Sequence, residues 1–263
     1  MKHTSNHVSQ DTAALLRSYA ARYETADFLN GDPSWFMHQV EPAPDRIMLA
    51  FLASSLSYGS RKQFFPKIQY MLYCSQGRVE EWVRSGAFAT DIPDDTSRCY
   101  YRLYTFAKMH QFLAALRQML ADYGSLTEFV RQSTPDGHCL TAVSALTSYF
   151  SSRGIEGIIP KNTQSSCKRV CMFMRWMVRS GSPVDLGLWS YIIDRRTLIM
   201  PIDTHVVQQS MRLGLLSSSS ASMSAALRLS SAMLIVFPDD PLKGDFALFG
   251  YGVNKSLTEY DNQ

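Results

Sequence analysis

The sequence has no CxxC pair, no apolar run approaching the roughly 20 residues a membrane helix needs, and no stretch where Val, Ile and Thr alternate with polar residues as a strand would. Each absence removes a class. The five cysteines, Cys74, Cys99, Cys139, Cys167 and Cys171, cannot all pair with one another, which argues against a disulfide-stapled secreted fold and for a reducing compartment. Cys167 and Cys171 stand one helical turn apart with no second cysteine pair and no histidine nearby, so they read as small core residues and no metal is expected. The polar opening MKHTSNHVSQDT adds to the reading of a soluble, cytoplasmic chain. A strong charge bias is missing too. Net charge is only +3, so any nucleic-acid reading rests on where the charges lie.

What the chain does have is core. Over 263 residues, 46% are hydrophobic and 12% aromatic, enough for one large domain or two small ones. Apolar residues recur at helical spacing in successive blocks, and the fold class expected is all-α. A first helix is expected over Thr12–Leu29, stopped by Gly31-Asp32-Pro33. Asp45 reads as the N-cap of the very apolar helix DRIMLAFLASSLSYG, with a second helix from Arg61 through Leu72. The turn between them puts Tyr58, Arg61 and Lys62 at a tip that could probe a groove. Helical patterns continue over Arg78–Ser85, Tyr100–Tyr123, Leu126–Gln132, Leu140–Phe150 and Ala225–Val236, and in a last apolar helix from Asp245 to Gly252. One stretch is locally basic: Arg153, Lys161, Lys168, Arg169, Arg175 and Arg179 stand against the single acid Glu156.

The chemistry centres on two residues. Ser165 or Ser166 can cap the helix that follows, which places Lys168 in its first turn and Val170, Phe173, Met174 and Met177 on its buried face. A cation at that end opposes the helix dipole, by about 0.3–1 kcal/mol, and such a local violation is a mark of function. Asp203 precedes a second amphipathic helix that ends near Gly214. Pro201 and the apolar Leu198, Ile199, Met200 and Ile202 lead up to it, so its carboxylate is expected at the edge of a dry cleft, able to take a proton or stabilise a cation. His205 is placed to orient neighbours rather than to act as the base.

The segment Met200-Pro201-Ile202-Asp203-Thr204-His205-Val206, followed by Arg212-Leu213-Gly214-Leu215, resembles the marked V-D-T-H-V … R-L-G-L motif of the helix-hairpin-helix DNA glycosylases. Through ASSLSYGSRKQF, CKRVCMFMRWMVR, VDLGLW, PIDTHV and DFALFGYG, from about Asp45 to Gly252, the chain also resembles a bacterial family of uncharacterised proteins distantly related to that superfamily. The resemblance implies that Asp203 is the catalytic acid and that Lys168 falls where bifunctional members carry their nucleophilic lysine. The spacing between the two resembles the archaeal oxidised-guanine glycosylases more than the endonuclease III type. Two departures stand out. The glycine-rich hairpin loop that grips phosphate is replaced by Ile159-Pro160-Lys161-Asn162-Thr163-Gln164-Ser165, and the four-cysteine iron–sulfur motif is not found after Gly252.

With the resemblance, the expected architecture is a two-lobed helical fold with a cleft between its lobes. Residues 1–44 supply an N-terminal helix that packs with the C-terminal lobe, 45–196 a central lobe with the hairpin equivalent, and 197–263 the C-terminal lobe. The expected function is a DNA-repair glycosylase, with AP-lyase activity through Lys168, that needs no metal or cofactor. DNA is the expected partner, through Tyr58 as a wedge and Arg61, Lys62, Lys161 and Arg169 as phosphate contacts, and a monomer is favoured. The alternative is a non-enzymatic nucleic-acid-binding protein on the same scaffold. A third class, a small-molecule enzyme reusing the cleft, stays open because fold does not fix function.

Overall fold

The computed structural model describes residues 8–260, with side chains through Val253; Met1–His7 of the polar opening lies outside the described residues. Apart from one short hairpin the regular structure is helical, as the apolar periodicity predicts. In chain order the α-helices are α1 (Gln10–Tyr23), α2 (Ala43–Leu56), α3 (Arg61–Cys74), α4 (Val79–Ser85), α5 (Phe88–Asp91), α6 (Phe106–Tyr123), α7 (Leu126–Ser133), α8 (Cys139–Ser151), α9 (Lys168–Val178), α10 (Thr204–Arg212), α11 (Met223–Val236) and α12 (Lys243–Tyr260). The hairpin, β1 (Cys99–Tyr101) and β2 (Tyr104–Thr105), is antiparallel and precedes α6. No described helix is long and apolar enough to cross a membrane.

The chain divides into two compact units. One holds the chain up to Phe28, His138–Leu140 and everything from Thr163 on; the other holds Leu29–Gly137 and Thr141–Asn162. Residues 163–196 therefore share a unit with 197–263. In the first unit α1 packs along α12. Aromatic edges line that seam: Tyr23 meets Phe249 at 5.9 Å between ring centroids and Tyr19 meets Tyr251 at 6.0 Å. A Cβ on Gly250 would stand 2.2 Å from the Tyr23 ring, so the absence of a side chain there is what lets the two helices close.

The second unit is built on α2, whose residues from Ile47 to Leu56 are all buried. Its Phe51 packs against Phe150 of α8 at 5.6 Å and Phe112 of α6 at 6.0 Å, forming the aromatic centre of that core. Asp45 is not the N-cap of α2. The helix starts two residues earlier, at Ala43, and the Asp45 carboxylate instead accepts the Glu80 amide at 2.8 Å, fixing the start of α4. Burial pushes the Asp45 carboxyl upward, and that amide only partly offsets it.

Two other boundaries differ from expectation for local reasons. The helix expected over Thr12–Leu29 stops at Tyr23 and resumes as a 3₁₀ turn over Ala26–Leu29, which turns Phe28 onto Phe246 at 4.8 Å. The helix expected from Tyr100 begins at Phe106, where the Thr105 hydroxyl caps the Lys108 amide at 3.1 Å. The aromatic run before it forms the hairpin, a length too short to show a two-residue period.

Candidate functional site

Lys168 is the first residue of α9 and Asp203 the residue just before α10. Neither Ser165 nor Ser166 caps α9. Cys167 occupies that position in the left-handed conformation, φ 48° and ψ 35°, without a side-chain cap. A non-glycine residue there is uncommon and costs strain, so tertiary contacts must hold it. One contact is visible: the buried Ser166 hydroxyl donates to the Ile202 carbonyl at 3.2 Å, which draws the starts of α9 and α10 together. Ser165 forms an isolated antiparallel bridge with Ser222, beside the start of α11.

The Asp203 carboxylate is used at both oxygens. Oδ1 accepts the Val206 amide at 2.9 Å, as a helix N-cap does, and Oδ2 accepts the Lys168 ammonium at 2.6 Å. The side chains are 39% and 33% exposed, so the pair sits at the surface rather than in the core. Burial by itself would raise the Asp203 carboxyl, but the charge and hydrogen bond of Lys168, the Val206 amide and the charge of His205 outweigh it and hold the group below its usual range. Asp203 is therefore a poor proton acceptor and a good partner for positive charge. The two groups touch directly, with no gap between them.

The other expected site residues are distributed between the two units. Arg169 and the exposed His205 lie beside the pair in the first unit. Tyr58, Arg61, Lys62 and Lys161 belong to the second. Arg61 and Lys62 are exposed in the first turn of α3. Lys161 is paired with Glu156 at 3.2 Å. The ring of Tyr58 lies under the Arg102 guanidinium, 4.8 Å from its centroid.

The basic stretch between Arg153 and Arg179 is not a basic surface. Arg153 lies over the Tyr149 ring at 3.6 Å, and Arg175 and Arg179 are buried in an ionic network. Arg175 Nε donates to Asp185 Oδ1 at 3.2 Å, and a second nitrogen pairs with Asp245 at the start of α12. Arg179 pairs with the other Asp185 oxygen, with Asp240 at 2.9 Å and with Glu24 at 2.5 Å. Both guanidiniums stand over the Phe246 ring, at 4.7 and 5.2 Å. Burial opposes the Arg179 charge, and the surrounding carboxylates more than restore it, moving its pKa upward.

This network is what holds α9 in place. The loop carrying Asp185 folds over the helix's C-terminal end, where the Leu186 and Gly187 amides donate to the Trp176 carbonyl at 2.8 and 3.2 Å and the Trp189 amide to Met177 at 2.7 Å. Gly187 has φ +65°, and a Cβ on it would lie 2.6 Å from Ser180 Cα. The charged members were missed in the sequence because an arginine in a helical pattern reads as surface. The signal that could have found them is the Arg175–Arg179 spacing of one turn on a face that also carries Cys171, Met172 and Val178.

Among the described residues no group of three or more His, Cys, Asp or Glu is arranged to hold a metal ion. The site is a lysine–carboxylate pair on two converging helix starts, with a rigid ionic mount beneath one of them. No curated protein and no solved structure matches the chain. Residues 32–254 match the family described as "Protein of unknown function (DUF2400)", and the chain belongs to that family.

Proposed function

We propose that the protein is a DNA glycosylase with AP-lyase activity, acting on a damaged base in duplex DNA, with the two-lobed arrangement of the helix-hairpin-helix glycosylases. The observation that carries this reading is the direct contact between Lys168 Nζ and Asp203 Oδ2, in a segment whose sequence resembles that superfamily's catalytic motif. In the reaction the C1′–N bond breaks, the base leaves with the electron pair and takes a proton, and cationic character grows on the sugar. Asp203, held ionised, stabilises that cation as it stabilises the ammonium in the resting pair. Lys168, released as its partner turns to the sugar, gives its proton to the departing base and forms the Nζ–C1′ bond; opening of the sugar ring, whose oxygen takes the second Nζ proton, gives an imine.

Borohydride reduces such an imine and traps the complex. The full chain incubated with duplex containing an abasic site should give a covalent adduct, Lys168→Gln should give none, and Asp203→Asn should bind duplex with an intact damaged base but fail to release the base. Adduct surviving in Lys168→Gln would place the nucleophile elsewhere. The alternative is a non-enzymatic nucleic-acid-binding protein on the same scaffold. Salt-dependent affinity for duplex with neither trapping nor cleavage would establish that alternative.

A further inference from the structure

The loop that folds over the C-terminal end of α9 also walls a cavity that the catalytic reading does not use. The cavity has a volume of about 420 Å³, is open to solvent, and lies between the end of α9 at Val178, the segment that follows it and the bend after α11, all within the first unit. That volume is in the range of small-molecule sites. Lys168 is the first residue of α9 and Val178 the last, about 15 Å apart at the rise of an α-helix, so the cavity and the lysine–carboxylate pair sit at opposite ends of one helix.

Half of the charge in its lining is already spent. The two oxygens of Asp194 take the Arg196 guanidinium at 3.1 and 2.7 Å, so those charges cancel. Asp240 turns inward to Arg179 at 2.9 Å, while its neighbour Asp239 lines the cavity. Arg195 is held through Nε, which donates to the Asp239 carbonyl at 3.0 Å, so backbone rather than a carboxylate positions its guanidinium. Among the described residues, the terminal nitrogens of Arg195 and the carboxylate of Asp239 make no hydrogen bond or ion pair, and the hydroxyls of Ser180 and Ser190 make no hydrogen bond. The walls are nonetheless fixed. The backbone of Gly187 closes on Ser180 Cα and accepts the Ser190 amide at 3.2 Å. The Asp194 carbonyl accepts the Thr197 hydroxyl at 2.7 Å, and that hydroxyl in turn accepts the buried Cys139 amide at 2.9 Å.

One cation and one anion, not paired with each other, therefore face a single preformed cavity together with two hydroxyls. A simple anion would be attracted by Arg195 and repelled by Asp239, and a simple cation would meet the reverse. An apolar occupant would strip water from both charges and replace it with nothing. The lining as a whole is complementary to a molecule that carries both signs. We propose that this cavity is a binding site for a small zwitterion of the α-amino-acid type. The ligand's carboxylate meets the Arg195 guanidinium, whose fork suits it, its ammonium meets the Asp239 carboxylate, and the Ser180 and Ser190 hydroxyls complete its hydrogen bonds. The inference goes beyond the DNA reading and uses neither Lys168 nor Asp203.

The test titrates the full ¹⁵N-labelled chain with each of the common L-α-amino acids, up to about 10 mM, and follows the amide resonances of Ser180, Ser190, Arg195 and Asp239. At least one amino acid should shift them saturably. Its N-acetyl and carboxamide derivatives, which each lack one charge, should bind at least about tenfold more weakly, the loss expected when a charged hydrogen bond is removed. Arg195→Gln and Asp239→Asn should each weaken the same amino acid about tenfold while the circular dichroism stays that of the parent. Asp239 is exposed, so Asp239→Asn tests the site even if Arg195→Gln fails to fold. If no amino acid shifts these resonances, the proposal is overturned. An N-acetyl derivative that binds as tightly as the free amino acid would make the site an anion site instead, and binding that survives both substitutions would place the ligand elsewhere. Success or failure of borohydride trapping at Lys168 leaves each of these outcomes unchanged.

Discussion

Lys168 and Asp203, 35 residues apart in sequence, are joined by a 2.6 Å hydrogen bond, and the Asp203 oxygen left over caps the next helix. One carboxylate thus couples the placement of a cation to the start of a helix. Both partners are about a third exposed, so solvent screens the pair, and its coupling belongs with partly exposed ion pairs.

A double-mutant cycle with Lys168→Gln and Asp203→Asn should return a coupling of about 0.2–1 kcal/mol, read by urea denaturation at neutral pH. Asparagine keeps the N-cap, so the cycle isolates the charge. A coupling of several kcal/mol would mean that the pair is more desolvated than its exposure indicates.

The pair also sets an acid limb. Asp203 is held below its usual range when folded, so its contribution is complete above the unfolded value of about 3.9 and is lost as pH falls through the lower folded value. The stability difference between the parent and Asp203→Asn should therefore be flat from neutral pH down to that region and shrink below it. Denaturation series at stepped pH check this, and a difference that grows in acid would reverse the sign assigned to Asp203.

Breaking the buried network should be far more costly than breaking the surface pair. Asp185 is fully buried between two guanidiniums, so Asp185→Asn leaves buried positive charge short of a partner and should lower stability by about 3–5 kcal/mol. Thermal and urea unfolding measure it. A loss below 1 kcal/mol would show that the network relaxes.

Gly187→Ala should lower stability by about 1–3 kcal/mol, because the new Cβ meets Ser180 Cα at 2.6 Å in a backbone conformation that side chains disfavour. The same substitution at Gly181, which has nothing within 4 Å, is the control for the backbone term alone. Equal losses at the two positions would remove the close approach as the cause.

Much of the fold was legible because helices announce themselves over long windows. The burial of α2 and the buried face of α9, with Val170, Phe173, Met174 and Met177, follow from apolar spacing alone. Asp203 as an N-cap was equally readable, since its hydrogen bond is local. What stayed hidden depends on partners distant in sequence. Cys167 takes the position expected of a serine because Ser166 is drawn to Ile202, and Asp45 serves α4 rather than its own helix because Glu80 is near only in the fold. The hairpin at Cys99–Thr105 escaped notice because its strands are too short to carry a period.

The seam between α1 and α12 bears on where this protein can be shortened. The family match begins at residue 32, yet Glu24 reaches Arg179 and Tyr23 fills the notch at Gly250. A chain trimmed to the matched span would leave Arg179 with one carboxylate fewer and open an apolar trough along α12. Such a fragment should express as an aggregation-prone protein, and supplying residues 8–28 as a separate peptide should restore its solubility.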